Sequence, residues 1–159
     1  MNFSIREGKI TDIPSVLNLI KELAIFEKEP EAVEISVADL ERDGFGNYPL
    51  FKTFVAEIDK EIVGMALFYP RYSTWKGPTI HLEDLIVKKS KRGLNIGSAL
   101  YKKVIEYGNT LGVKRIEWVV LDWNTPAIEF YKKTGANVLA DWQTVQMDEL
   151  AIKNYLEIL

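Results

Sequence analysis

The chain contains no cysteine and only one histidine. Without thiols it can form no disulfide and no thiolate metal site, and a lone imidazole cannot build a histidine-rich metal centre. No metal is therefore expected. No apolar run approaches the roughly 20 residues of a membrane span, and the opening MNFSIREGKI lacks the basic-then-apolar order of a secretory leader. The expectation is a cytoplasmic protein with no membrane partner. There is no excess of positive charge either: 20 Lys and Arg against 23 Asp and Glu leave a net charge of −3. That balance argues against a nucleic-acid partner and suits a small cationic ligand. No repeat, low-complexity tract or linker interrupts the 159 residues, so a single domain over 1–159 is expected.

The remainder has the composition of an ordinary globular protein, 47% hydrophobic and 27% charged. Residues 3–6 read as a short strand. A helix begins near Thr11 and Asp12, with Pro14 in its first turn, and Ile13, Val16, Leu17, Ile20, Leu23 and Ala24 form one apolar stripe. Ser36 with Asp39 reads as the capping box of a second helix, and 43–47 (DGFGN) as a loop. Runs 54–58 and 61–68, separated by Asp59 and Lys60, predict a hairpin. A strand over 79–87 precedes a helix over 97–111, stopped by Gly112. Residues 115–121 read as a strand suited to a sheet centre, 126–133 as a helix ended by Gly135, 137–145 as a strand and 148–159 as a closing helix. The order β-α-α-β-β-β-α-β-α-β-α makes a mixed α/β sheet with helices on its faces.

Chemistry concentrates in HLEDLIVKKSKRGLNIGSAL, residues 81–100. Arg92, Gly93, Leu94, Asn95, Ile96, Gly97 and Ser98 form a glycine-containing loop that opens a helix. Such loops turn backbone N–H groups and the positive end of the helix toward an anion, with Lys88, Lys89 and Lys91 nearby to add charge. Asn95 is the non-glycine residue best able to adopt a left-handed backbone. A plain strand-to-helix turn fits the same residues. The loop is not a P-loop, since no Gly-Lys-Ser/Thr ends it, and its spacing misses the dinucleotide fingerprint. Upstream lie Glu83 and Asp84, of which strand alternation lets only one face a given side of the sheet. A carboxylate in an apolar strand is costly unless paired or used. Further along, Asn124 or Thr125 caps a helix whose first turn holds Pro126 and whose second holds Phe130 and Tyr131. Phe26, Glu27, Glu29 and Glu31, with Trp75 and Trp142 elsewhere, combine carboxylates and aromatic faces that suit an organic cation. His81 has no partner in sequence that would make it a base.

Together these residues resemble the GNAT superfamily of N-acetyltransferases. Its acetyl-CoA signature, Gln/Arg-x-x-Gly-x-Gly/Ala, stands here as Arg92-Gly93-Leu94-Asn95-Ile96-Gly97, with Asn95 in place of the middle glycine. The segments IKELAIFE, DGFG, YSTW, LEDLIV, RGLNIGS and WNTPAIEFYKKTGA are similar, in order and spacing, to those of diamine (spermidine/spermine) N-acetyltransferases and their thialysine-acetylating relatives. The resemblance implies the GNAT fold, a mostly antiparallel sheet with a V-shaped opening between the strands at 79–87 and 115–121, and acetyl-CoA as co-substrate. Leu85, Ile86 and Val87 would bind the pantetheine arm through their backbones. Arg92 and the loop from Gly93 to Ser98 would cradle the pyrophosphate, and Asn124, Thr125, Pro126 and Ala127 would flank the thiol end.

Tyr131 matches the general acid for the leaving thiolate and also lies at the cofactor. Glu83 matches the residue that binds the amine and helps to remove its proton. Phe26, Glu27, Glu117, Trp118 and Val119 map to the substrate side, with Trp75, Asp84 and Trp142 near the same pocket. The amine would attack the thioester directly, helped by orientation and by backbone N–H groups at the oxyanion, and no cysteine is present to carry an acyl group. Relatives imply a homodimer. The acceptor is expected to be a polyamine or diamine. Thialysine, a lysine-like amino acid or a peptide amine is the alternative, and a non-catalytic acyl-CoA-binding regulator a further one.

Overall fold

The computed structural model describes residues 2–158, in two compact units divided in the chain between Val119 and Val120. In the first unit the elements are β1 (Ser4–Glu7), α1 (Ile13–Phe26), α2 (Val37–Phe45), β2 (Lys52–Ile58), β3 (Glu61–Ser73), β4 (Gly77–Val87), α3 (Ile96–Leu111) and β5 (Ile116–Glu117). The strands form one sheet in the order β1-β2-β3-β4-β5, antiparallel except for the parallel β4–β5 pair.

Local chemistry explains most boundaries. Asp59 and Lys60, at φ 50° and 68°, make the left-handed two-residue turn that matches the twist of a hairpin. The Ser36–Asp39 capping box starts α2 as expected, the Asp39 amide donating to Ser36 Oγ and the Ser36 amide to Asp39 Oδ2. Gly112, at φ 68°, ends α3. The expected loop at 43–47 is instead helical through Phe45. Gly44 serves packing rather than a turn there, since a Cβ at this position would stand 2.5 Å from the Phe51 ring.

Strand alternation sorts the core onto two faces. On one, Val55, Met65, Leu67 and Ile86 meet Val16 and Leu19 of α1. On the other, Phe54 and Phe68 stack at 5.1 Å beside Tyr107 of α3, whose Ile96, Leu100 and Val104 are buried. Each such fully buried aliphatic side chain contributes about 1.5–3 kcal/mol. Arg6 fastens β1 to the start of α1, donating to Asp12 at 2.7 and 3.0 Å and to Glu57 at 2.7 Å.

Two expectations for strands fail. Residues 115–121 contribute only Ile116–Glu117, and β5 is the sheet edge rather than its centre. Pairing with β4 covers Ile80 with Ile116 and His81 with Glu117 and then stops. Trp118 leaves the ladder to pack edge-on against Tyr101 of α3, ring centres 5.5 Å apart. From residue 82 onward β4 has no strand partner on that side among the described residues, which is the expected opening in the sheet.

The second unit holds α4 (Thr125–Lys133) and α5 (Glu149–Ile158). Residues 137–145 form no strand: they are exposed and have no ladder to join, so apolar composition alone does not make them β. Gly135, at φ 91°, ends α4, where the Gly135 amide donates to the Lys132 carbonyl and the Ala136 amide to that of Tyr131. Asp148 caps α5 by accepting from the Ala151 amide at 2.7 Å. The end of the helix expected over 148–159 lies outside the described residues at Leu159. No helix among the described residues is long and apolar enough to cross a membrane.

Candidate active site

A β-bulge organises the carboxylates of β4. Leu67 of β3 faces Asp84, but the next residue, Phe68, faces Leu82, so Glu83 is an extra residue in the ladder. The expectation that Glu83 and Asp84 point to opposite faces is therefore overturned. Both line one cavity of about 440 Å³, bounded by Ile20, Leu40, Phe51, Leu67 and Tyr69 and by Asp39 and Asp43 of α2.

The electrostatics follow from this crowding. Burial first, then the neighbouring Glu83 and Glu27, push the Asp84 carboxyl up to about 7. Glu27, just past the end of α1, is also raised, by burial and then by Glu83. The Tyr69 hydroxyl donates to Glu83 Oε2 at 2.8 Å. Its own pKa is pushed up to about 12, chiefly by burial and then by that hydrogen bond, so it remains a donor. His81 Nε2 lies 3.4 Å from the same Oε2, and the Tyr69 and His81 rings are 5.2 Å apart.

Asp84 makes a stability prediction. A carboxyl whose folded pKa is about 7, against an ordinary 3.8, holds its proton more tightly in the native state. Its contribution is thus most favourable below 3.8 and is lost as pH rises toward 7. Asp84→Asn should raise the Tm at pH 8 by at least about 2 °C in a thermal melt, with the gain vanishing near pH 4, while the KM for the amine rises. A Tm gain independent of pH would refute the assignment.

The loop into α3 has the features of an anion cradle. Gly93 and Asn95 are left-handed, at φ 80° and 62°, so Asn95 takes the conformation expected of a glycine substitute. Asn95 occupies the N-cap position without a side-chain cap bond, and the first helical hydrogen bond runs from the Ala99 amide to its carbonyl. The N–H groups of Ile96, Gly97 and Ser98 therefore have no acceptor within the helix, and they stand at its positive end. Leu94 is exposed and Ile96 buried. Arg92 donates from Nε to the Val87 carbonyl at 3.1 Å and sits 5.4 Å over the Phe26 ring. Leu85, Ile86 and Val87 belong to the stretch of β4 with no strand on its open side. These residues fit a phosphate-bearing ligand with an extended arm.

The other expected site residues are not in the lining of this cavity. Glu117 is bound by Arg71 and, at 3.2 Å, by Arg115, which withdraws it from free carboxylate duty. Trp118 packs with α3, on the opposite face of the sheet from the cavity. Val119 and Trp75 are largely exposed, Trp75 in the β3–β4 turn. In the second unit, Asn124 accepts from the Ala127 amide at 3.4 Å, Thr125 and Pro126 open α4, Tyr131 packs edge-on to Phe130 at 5.5 Å, and Trp142 is exposed. Tyr69, Asp39 and Asp43 were not foreseen. Tyr69 could not be, because only the β3–β4 register brings it to Glu83. The two aspartates are four apart on one helix, a spacing visible in sequence.

Residues 14–136 match the acetyltransferase (GNAT) family. This chain belongs to that family. It is 43% identical over 145 residues to a thialysine N-epsilon-acetyltransferase of Bos taurus, covering 86% of this chain and 85% of the other. It is 38% identical over 141 residues to a human spermidine/spermine N(1)-acetyltransferase-like protein 1, covering 84% of this chain but 20% of that protein. An integron cassette protein from the Vibrio cholerae mobile metagenome shares the fold at TM-score 0.80 and 21% identity, covering 99% of both chains. An aminoglycoside N-acetyltransferase in complex with CoA superposes at TM-score 0.71 and 18% identity, over 93% and 95% of the two chains. This GNAT protein is an acetyl-CoA-dependent N-acetyltransferase that acts on an amine.

Proposed function

We propose that this acetyltransferase acts on a small diamine or polyamine, taking one terminal primary amine as acceptor. The observation that supports this is Glu83 and Asp84 standing among the apolar walls of the cavity, with no lysine or arginine in its lining among the described residues; Asp39 and Asp43, also in the lining, are held by Arg42 of the same helix. Alternating charge and methylene surface complements an alkyl chain with spaced ammonium groups. An amino-acid acceptor would bring a carboxylate into this acidic setting. Thialysine is nevertheless the second reading, favoured by the 43% and 40% identities to thialysine acetyltransferases.

Acetyl-CoA supplies an acetyl thioester that an uncharged amine can attack. The acceptor arrives as an ammonium with a pKa near 10 and is not nucleophilic until it loses a proton. Glu83 takes that proton, directly or through water, while Glu27 and Asp84 hold the cation. Tyr131, which matches the family's acid, gives its phenolic proton to the departing sulfur. The loop from Arg92 to Ser98 holds the diphosphate, the backbone of Leu85, Ile86 and Val87 holds the arm, and residues 124–127 flank the thiol end. The family match crosses the boundary between the two units, which supports a single acetyltransferase domain over 1–159. The same resemblance supports a homodimer, and a cytoplasmic location is part of the proposal.

Thiol release from acetyl-CoA should be measured across spermidine, spermine, putrescine, thialysine, lysine and short peptides. The highest kcat/KM is expected for a polyamine. A preference for thialysine of tenfold or more would replace the first reading with the second. Tight CoA binding with background turnover on every amine would indicate a regulator without catalysis.

A further inference from the structure

His81 is the only histidine of the chain, and it is 9% exposed. Its Nδ1 is buried and has no hydrogen-bond partner among the described residues. Buried polar nitrogens are nearly always satisfied, so an orphan calls for a reason. The other nitrogen supplies one. Nε2 stands 3.4 Å from Glu83 Oε2, the oxygen that also accepts from Tyr69 at 2.8 Å. The other charged groups beside His81 engage one another: Glu117, its register partner on β5, pairs with Arg71 and Arg115.

We propose that His81 is a positioning residue for Glu83: its Nε2–H, 3.4 Å from Oε2, attracts that oxygen alongside the hydrogen bond from Tyr69 and leaves Oε1 to meet the amine. This rests on the reading of Glu83 as the group that deprotonates the acceptor. The tautomer follows from the burial. A buried lone pair on Nδ1 without a donor costs less than a buried N–H with nothing to accept it, so the proton belongs on Nε2. The bulge makes the arrangement necessary. It places Glu83 out of the regular ladder, where strand geometry no longer fixes its side chain, and two donors on one oxygen restore a single orientation. The 5.2 Å contact between the Tyr69 and His81 rings holds the donors as a pair. His81 does not touch the amine.

The test is a set of three variants assayed for thiol release with saturating acetyl-CoA. His81→Phe keeps a planar ring against Tyr69 and removes the donor, and should lower kcat about tenfold with the KM for acetyl-CoA unchanged. His81→Gln can place an amide N–H near the Nε2 position and should recover most of that loss. His81→Asn places its amide near Nδ1 instead and should not. Equal activity in all three, or equal loss in all three, overturns the proposal. If His81→Phe does not fold, the Gln and Asn variants still decide it. Combining His81→Phe with Glu83→Gln should give no loss beyond Glu83→Gln alone, and a further tenfold loss would show that His81 acts elsewhere. Full turnover of Glu83→Gln by itself would instead remove the role of Glu83.

Discussion

Glu83→Gln should lower kcat/KM for the amine about a hundredfold at pH 7, and the deficit should shrink as the assay approaches pH 10. At neutral pH only a small fraction of an amine of pKa near 10 is free base, so a residue that removes the proton raises the reactive population. Glutamine keeps the shape of the side chain and can still accept from Tyr69, but it cannot take a proton. Raising the pH supplies the free amine from solution and makes the missing base less necessary. A variant that is impaired equally at all pH values would show that Glu83 binds the cation without deprotonating it. An unimpaired variant would move the role to Asp84, which lines the same cavity and is pushed up to about 7.

Tyr131→Phe should also cut kcat about a hundredfold, while the Kd for CoA measured by calorimetry stays within about twofold. The contrast follows from which atoms of Tyr131 hold the second unit together. Its carbonyl accepts from the Thr134 and Ala136 amides and from Thr134 Oγ1, and its ring packs against Phe130. Phenylalanine keeps all of these and lacks only the phenolic proton. Donors whose leaving thiol is more acidic than CoA need less help from an acid, so they should narrow the gap between the variant and the parent. Unchanged turnover with acetyl-CoA would remove Tyr131 as the acid.

Much of this architecture was legible from local chemistry. The Ser36–Asp39 capping box, the Asp59-Lys60 turn, the left-handed Asn95 and the Gly112 and Gly135 stops each depend on residues adjacent in sequence, and each stands where sequence reasoning put it. The failures share a different cause. Whether residues 115–121 and 137–145 become strands depends on a distant ladder, and β5 keeps only two residues because Trp118 packs with Tyr101 instead. The helical Gly44 was misread because its reason is the Phe51 ring and not its own φ. At the site, Glu83 and Asp84 stand out as carboxylates in an apolar strand, and the family resemblance assigns Glu83 its role. Its bulge, its bond from Tyr69 and its approach to His81 all come from the β3–β4 register, which no single segment encodes.

The bulge also changes what a deletion would do. In an ordinary strand, losing one residue slips everything beyond it to the wrong side and exposes the core. Removal of Glu83 would instead return β4 to unbroken alternation, with Leu82 and Asp84 neighbours in a regular ladder opposite Phe68 and Leu67. The sheet would lose an irregularity and the enzyme its base. On the role proposed for Glu83, one codon thus separates the enzyme from a chain with a regular β4 and no base.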